Sequence, residues 1–390
     1  MSKLSVRLLR FLALTLIAAF PALGQIAQPK SVRAKISINS GWRFWKGDNA
    51  DAANPKFDDR RWQRISLPHT WNAADPFDDE PGYYRGSGWY RRAILPTPTL
   101  NSKRLFLYFE GANQTAEVYI NGKLAGRHKG GYTAFAFEIT ELVNRSGANT
   151  IAVRVDNNFN ENIPPLTADF NFYGGISRDA WLIATDDVYF AVTDHASSGL
   201  RISTPDIAQG NATVVVDGIM ENAAARNENV EIESTVLDVA SRPVSKSSTL
   251  VDVAENGANN FHLALPAVRN AHLWSPDDPY LYTVRNVIRI NGKVVDELSQ
   301  PLGFRWYSFD ADKGFSLNGK TLALRGTNRH QDYKGLGNAV PDRLHIRDME
   351  LIKGAGFNFV RLAHYPQDPS VLEAADRLGL LIWEEIPIVN

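Results

Sequence analysis

The chain has 390 residues, with 42 Lys plus Arg against 43 Asp plus Glu, and no cysteine. That length implies two or three domains with real cores, and the balanced charge excludes an electrostatic nucleic-acid footprint. Lack of cysteine excludes disulfides, thiol catalysis and cysteine-ligated metal sites.

Residues 1–24 read as a secretory signal peptide. Lys3, Arg7 and Arg10 precede an apolar run from Phe11 to Ala19, and Ala22-Leu23-Gly24 offers small residues for cleavage. The run is shorter than the roughly 20 residues a membrane span needs. The expectation is therefore an exported protein, periplasmic or secreted, with no membrane contact after cleavage.

Residues 25–187 read as short strands, among them LFLYF, AEVYING, TIAVRVDN and AWLIAT. Asn121-Gly122 between apolar runs signals a hairpin. Short strands with frequent turns predict an antiparallel jelly-roll β-sandwich. Residues 188–298 continue in the same manner, with ATVVVDG, NVEIESTVLD, NFHLALP and LYTVRNVIRI and a second hairpin signal at Asn291-Gly292. About 110 such residues suit an immunoglobulin-like β-sandwich, here without a disulfide. A spacer role is expected for it. Nine Trp and 13 Tyr in the chain suit sugar stacking, although sandwich cores account for such residues equally well.

From 299 to 390 the pattern changes. Three apolar runs alternate with two segments whose apolar residues fall at helical spacing: Leu344, Ile346, Met349, Leu351 and Ile352, then Val371, Leu372, Ala375 and Leu378. Strand, helix, strand, helix, strand predicts parallel strands joined by right-handed crossovers. Polar residues collect where each strand ends: Asn328, Arg329 and His330; Arg361, His364 and Tyr365; Glu384 and Glu385. In a (β/α)8 barrel those ends form the catalytic rim. A full barrel takes about 250 residues, so the expectation is the first three strands of a truncated TIM barrel. The fold class is thus multidomain β plus α/β.

The runs GFRWYSFDADKGFSLNGKTLALRGTNRH, FNFVRLAHYPQDP and LGLLIWEEIP resemble the start of the catalytic barrel of glycoside hydrolase family 2. That family contains β-galactosidases, β-glucuronidases and β-mannosidases. LPHTWN, GSGWYRR and DFNFYGGISRDAWL resemble its N-terminal sugar-binding domain, and LWSPDDPYLYTV is similar to a further stretch of the family. The resemblance implies retaining hydrolysis of terminal β-linked sugars, which needs two carboxyl groups about 5 Å apart. It places the acid/base and the nucleophile Glu beyond Asn390. Glu384 and Glu385 are not that pair, because neighbours on a strand face opposite sides.

By the same resemblance, His330, His364 and Arg361 contact the sugar, and Asp169 reaches across from the first domain. Glu385 is an inner-rim carboxylate that positions other residues. An ordinary reading stands beside each: His330 pinning a loop, Arg361 in an ion pair with Glu384 or Glu385, and Asp169 shaping a turn. Arg178 and Asp179 are expected to form a structural pair. The family's magnesium-binding Glu has Val389 at its place, so no metal and no cofactor are expected. RGTNRHQ and VRLAHYP lean toward β-galactosidase. Two further readings stay open: a non-catalytic carbohydrate-binding protein, and a truncated gene product. The expected partner is a carbohydrate; the oligomeric state is left open.

Overall fold

The computed structural model describes residues 32–388. The signal-peptide segment and Val389 lie outside the described residues.

The first domain is a sandwich of two antiparallel sheets. One runs in the order Ala34–Ser37, Ala180–Thr185, Arg104–Phe109, Phe135–Glu138. The other runs Gln63–Ile65, Trp42–Lys46, Ser87–Ile94, Asn149–Asp156, Thr115–Ile120, Lys123–Lys129. Strand Thr115–Ile120 buries every second residue, the signature of a sheet with one face on a core. Trp42, Tyr90, Leu107, Phe109, Val118 and Val153 meet between the sheets. The Asn121-Gly122 hairpin forms as expected: φ is 52° and 83°, left-handed at both positions, the geometry that asparagine and glycine tolerate best.

The second domain is also a two-sheet sandwich. Its four-stranded sheet orders Pro243–Val253, Glu228–Leu237, Tyr282–Ile290, Lys293–Leu302, and the facing sheet is built around Asn211–Asn222 and Gly257–Arg269. Phe190, Val214, Ile232, Val284 and Phe304 fill the core. The last strand continues to Leu302, so a boundary at 298 falls inside it. Pairing to Tyr282 at Leu302 holds those four residues in the sandwich.

A three-stranded antiparallel sheet, Tyr307–Asp310, Gly314–Leu317 and Lys320–Thr321, follows. Then come three parallel strands, Gly326–Arg329, Phe359–Leu362 and Leu381–Glu384, paired in chain order. Helix α1, Asp342–Gly354, and helix α2, Pro369–Leu378, form the crossovers. Asp368 caps α2 by accepting from the Ser370 amide at 2.9 Å, Pro369 opens the helix, and Gly379 closes it at φ 75°; each is a residue suited to that end. Met349, Val360, Leu362, Val371, Ala374 and Ala375 pack between helices and strands. Leu351, grouped by spacing with the buried set, is instead 54% exposed, because the inward stripe of α1 runs through His345 and Met349.

Candidate active-site rim

The ends of the parallel strands and one loop of the first sandwich meet at a common rim. Glu385 follows the third strand, and its carboxylate accepts from Arg361 Nε at 2.5 Å and from His364 Nδ1 at 2.7 Å. A carboxylate can only accept, so His364 Nδ1 carries a hydrogen and donates it to Glu385. Burial raises the Glu385 pKa, but the hydrogen bonds from Arg361 and His364 outweigh it and hold the carboxyl below its ordinary range. Glu384 points away and accepts from the Gln367 amide at 3.3 Å. The two adjacent carboxylates therefore do separate work.

His330 stands edge-on to His364, with ring centroids 5.2 Å apart. Burial, then the nearby His364 and Arg361, lower its pKa, against an opposing pull from Asp169 and Asp332. Phe170, from the loop of the first sandwich, lies 5.8 Å from His330, 6.1 Å from His364 and 5.2 Å from Tyr365. Asp169, immediately before it, is exposed and acts on His330 electrostatically.

Asp169, His330, Arg361, His364 and Glu385 are thus gathered at one place. Phe170 is the addition: with Tyr365, already read at a strand end, it forms an aromatic floor, and the alternation in DFNFY carried a signal for it.

Arg329 belongs elsewhere. It is buried, bridging Asp348 at 2.7 Å and His345 Nδ1 at 2.7 Å, and supports the rim from below. Arg178 does not pair with Asp179. It is buried and donates to the carbonyls of Tyr132 and Pro366, because buried carbonyls at the domain junction need donors. Asp179 takes a hydrogen bond from Asn39 instead.

The loop is fixed from both sides. Tyr173 donates to Asp332 at 2.8 Å, and Tyr132 stacks on Tyr365 at 4.5 Å. Thr70 Oγ1 donates to the Gly174 carbonyl at 2.7 Å, and the Gly174 amide donates to Asn72 at 2.8 Å. A Cβ on Gly174 would fall 2.0 Å from the Trp71 ring, so only glycine allows LPHTWN to lie against this loop.

This arrangement joins fixed polar groups to an aromatic floor, as a sugar pocket requires. The sequence profile of "Glycosyl hydrolases family 2, sugar binding domain" matches residues 36–186, that of "Glycosyl hydrolases family 2" matches 199–305, and that of its "TIM barrel domain" matches 311–390. The chain belongs to glycoside hydrolase family 2.

A putative β-glucuronidase of Formosa agariphila is 40% identical over 91% of this chain and 41% of its own length. A β-galactosidase of Thermoanaerobacter pseudethanolicus is 35% identical over 91% of the chain and 47% of its own. The crystal structure of Bacteroides uniformis β-glucuronidase superposes with a TM-score of 0.89 at 41% identity, over 91% of this chain and 42% of that one. A calcium-binding mutant of Bacteroides uniformis β-glucuronidase 2, with two aspartates changed to alanine, gives 0.86 at 40%, over 92% and 43%. The family 2 chain described here therefore spans less than half the length of each of these proteins.

Proposed function

We propose that this chain supplies the sugar-binding sandwich and the first part of the catalytic barrel of an exported, retaining exo-β-glycosidase. Asp169, His330, Arg361 and His364 contact the terminal sugar, and Glu385 holds Arg361 and His364 in place. The single observation that carries this reading is the meeting of Phe170 with His330, His364 and Tyr365 at the barrel-strand ends. Donors fixed before the substrate arrives, around a ring that flattens toward an oxocarbenium ion, lower the barrier without reorganisation. The leader-like N-terminal sequence supports a periplasmic or secreted location.

Sequence motifs favour β-galactosides, and one solved structure at 39% identity is a putative β-galactosidase, but the two curated relatives at 39–40% identity and the Bacteroides uniformis structures at 40–41% carry β-glucuronidase names. β-Glucuronides are therefore proposed ahead of β-galactosides. Isothermal titration with glucuronic acid and with galactose tests the site and its preference. The expected result is binding of glucuronic acid in preference to galactose, lost in His364→Ala. Absence of heat with either sugar refutes the reading.

A second reading concerns calcium. The two aspartates changed in the Bacteroides uniformis calcium-binding mutant have the same separation in sequence as Asp342 and Asp368. What supports a hard cation is that both groups are carboxylates and that Asn338 Oδ1, four residues before Asp342, is buried without a hydrogen-bond partner, although no three acidic or histidine side chains among the described residues are grouped to hold a metal. Calcium takes six to eight oxygen ligands of this sort.

A further inference from the structure

Gln367 lies beneath the rim, three residues after His364, and is 3% exposed. It touches the ends of all three parallel strands. Its Nε2 lies 2.6 Å from the Arg329 carbonyl, at the end of the first strand, and 3.5 Å from the Ala363 carbonyl, just past the second. Its backbone amide donates to Glu384 Oε1 at 3.3 Å, at the end of the third.

Arg329 settles which end of the side-chain amide faces the two carbonyls. A guanidinium can only donate, and Arg329 Nη1 lies 2.5 Å from Gln367 Oε1, so the NH2 group of Gln367 is turned to the carbonyls as their donor. Arg329 is itself held in place: Nε and Nη2 donate to Asp348, which also accepts from the Tyr333 hydroxyl. The segment carrying Gln367 is gripped on both sides as well. Arg178 donates to the Pro366 carbonyl, and the Asp368 amide donates to Gln331 Oε1 at 3.2 Å.

The two carbonyls lead directly into the two histidines. A carbonyl lies in one rigid plane with the next residue's amide and Cα, so the Arg329 carbonyl carries the Cα of His330 and the Ala363 carbonyl carries that of His364. The Ala363 amide also donates to the Arg329 carbonyl at 3.0 Å. Glu385 orients the His364 ring. Gln367 acts one step earlier, on the backbone from which both rings project, and their centroids stand 5.2 Å apart. A buried amide is costly unless its groups are paired; here both ends are paired, one to a fixed guanidinium and the other to these carbonyls.

On the reading that these histidines contact the sugar, we propose that Gln367 is a positioning residue. Its one buried amide spaces His330 from His364, and its backbone holds both against the third strand.

The test uses Gln367→Glu and Gln367→Met. Paired with Arg329, an ionised glutamate keeps the shape and the acceptor but loses the donor; methionine keeps the unbranched shape with neither. Melting verifies the fold of each variant. Nitrogen-15 spectra of the histidine rings are recorded without sugar, and glucuronic acid and galactose are then titrated by calorimetry. In both variants the His330 and His364 resonances should move while those of His262 and His272, in the second sandwich, stay in place. Affinity for the sugar the parent prefers should fall at least about tenfold, because small displacements of positioned groups are costly. Parent-like His330 and His364 resonances in the folded variants overturn the proposal, as does movement of only one of the two. Shifted rings with unchanged sugar affinity overturn it too, leaving Gln367 a structural residue. If the parent binds neither sugar, the sugar-site reading fails on that result, and the sugar-free spectra judge the spacing of the two histidines separately.

Discussion

Acidification should weaken the first sandwich through His69, the histidine of LPHTWN. The Tyr90 hydroxyl lies 2.9 Å from His69 Nδ1 and also faces the Ile176 amide at 3.4 Å. Having one hydrogen, Tyr90 accepts from Ile176 and donates to the unprotonated Nδ1. The imidazole also packs on Phe44 at 4.6 Å. Burial pushes its pKa down from 6.5 to about 4. Between those two values the unfolded chain binds a proton that the folded chain refuses, so stability is intact above about pH 6.5 and is lost as pH falls toward 4. At about 1.4 kcal/mol per pKa unit, discounted for partial exposure, the loss between about pH 7 and pH 4.5 is about 2 kcal/mol.

The assay is urea unfolding of the parent and of His69→Gln at both pH values. Glutamine retains an acceptor for Tyr90 but cannot titrate. The variant should be slightly less stable at neutral pH and should lose about 2 kcal/mol less on acidification. Equal losses in the two proteins would refute the argument. Because the His69 and Ile176 backbones are joined at 2.8 Å, the same acid step should loosen the loop bearing Asp169 and Phe170.

Three further outcomes follow from single contacts. Arg33 holds the buried Asp296 with two bonds at 2.9 and 2.6 Å, so Arg33→Met strands a charge and should destabilise by about 3–5 kcal/mol, read from the urea midpoint. Phe170→Ala removes the ring facing both histidines and should weaken sugar binding by about 1 kcal/mol in calorimetry, with little change in melting temperature. Asn318 has φ 53°, and its side chain accepts from the Trp306 amide and donates to the Trp274 carbonyl, so Asn318→Ala should lower stability by at least about 1 kcal/mol without affecting sugar binding.

Much of this architecture was legible because it rests on local chemistry. Asn121-Gly122 and Asn291-Gly292 fix their hairpins through backbone preferences carried within two residues. Helix α2 has its start and stop written as Asp368, Pro369 and Gly379. His330, His364 and Glu385 could be placed on one rim because parallel strands bring their ends together whatever the side chains are. The sheet from Tyr307 to Thr321 went unread, although Tyr307 and Phe309, then Phe315 and Leu317, alternate with polar residues and Asn318-Gly319 carries the same turn signal; its strands are only two to four residues long, and Tyr307 and Phe309 are 66% and 69% exposed.

The roles of Arg178, Asp179 and Phe170 were illegible for another reason. Their partners are distant in sequence: Tyr132 and Pro366 for Arg178, Asn39 for Asp179, and His330, His364 and Tyr365 for Phe170, and docking of the sandwich on the barrel supplies those of Phe170 and the Pro366 carbonyl. Arg178 and Asp179 are neighbours of opposite charge, yet a buried junction lined with carbonyls claims the guanidinium.

The central claim is that one sugar site is built from both domains. Its most direct test is nitrogen-15 NMR of the histidine side chains during titration with glucuronic acid, for the parent and for Asp169→Ala. The His330 and His364 resonances should shift together in the parent and saturate at higher sugar concentration in the variant. Saturating shifts confined to histidines away from the rim, with His330 and His364 unmoved, would contradict the claim.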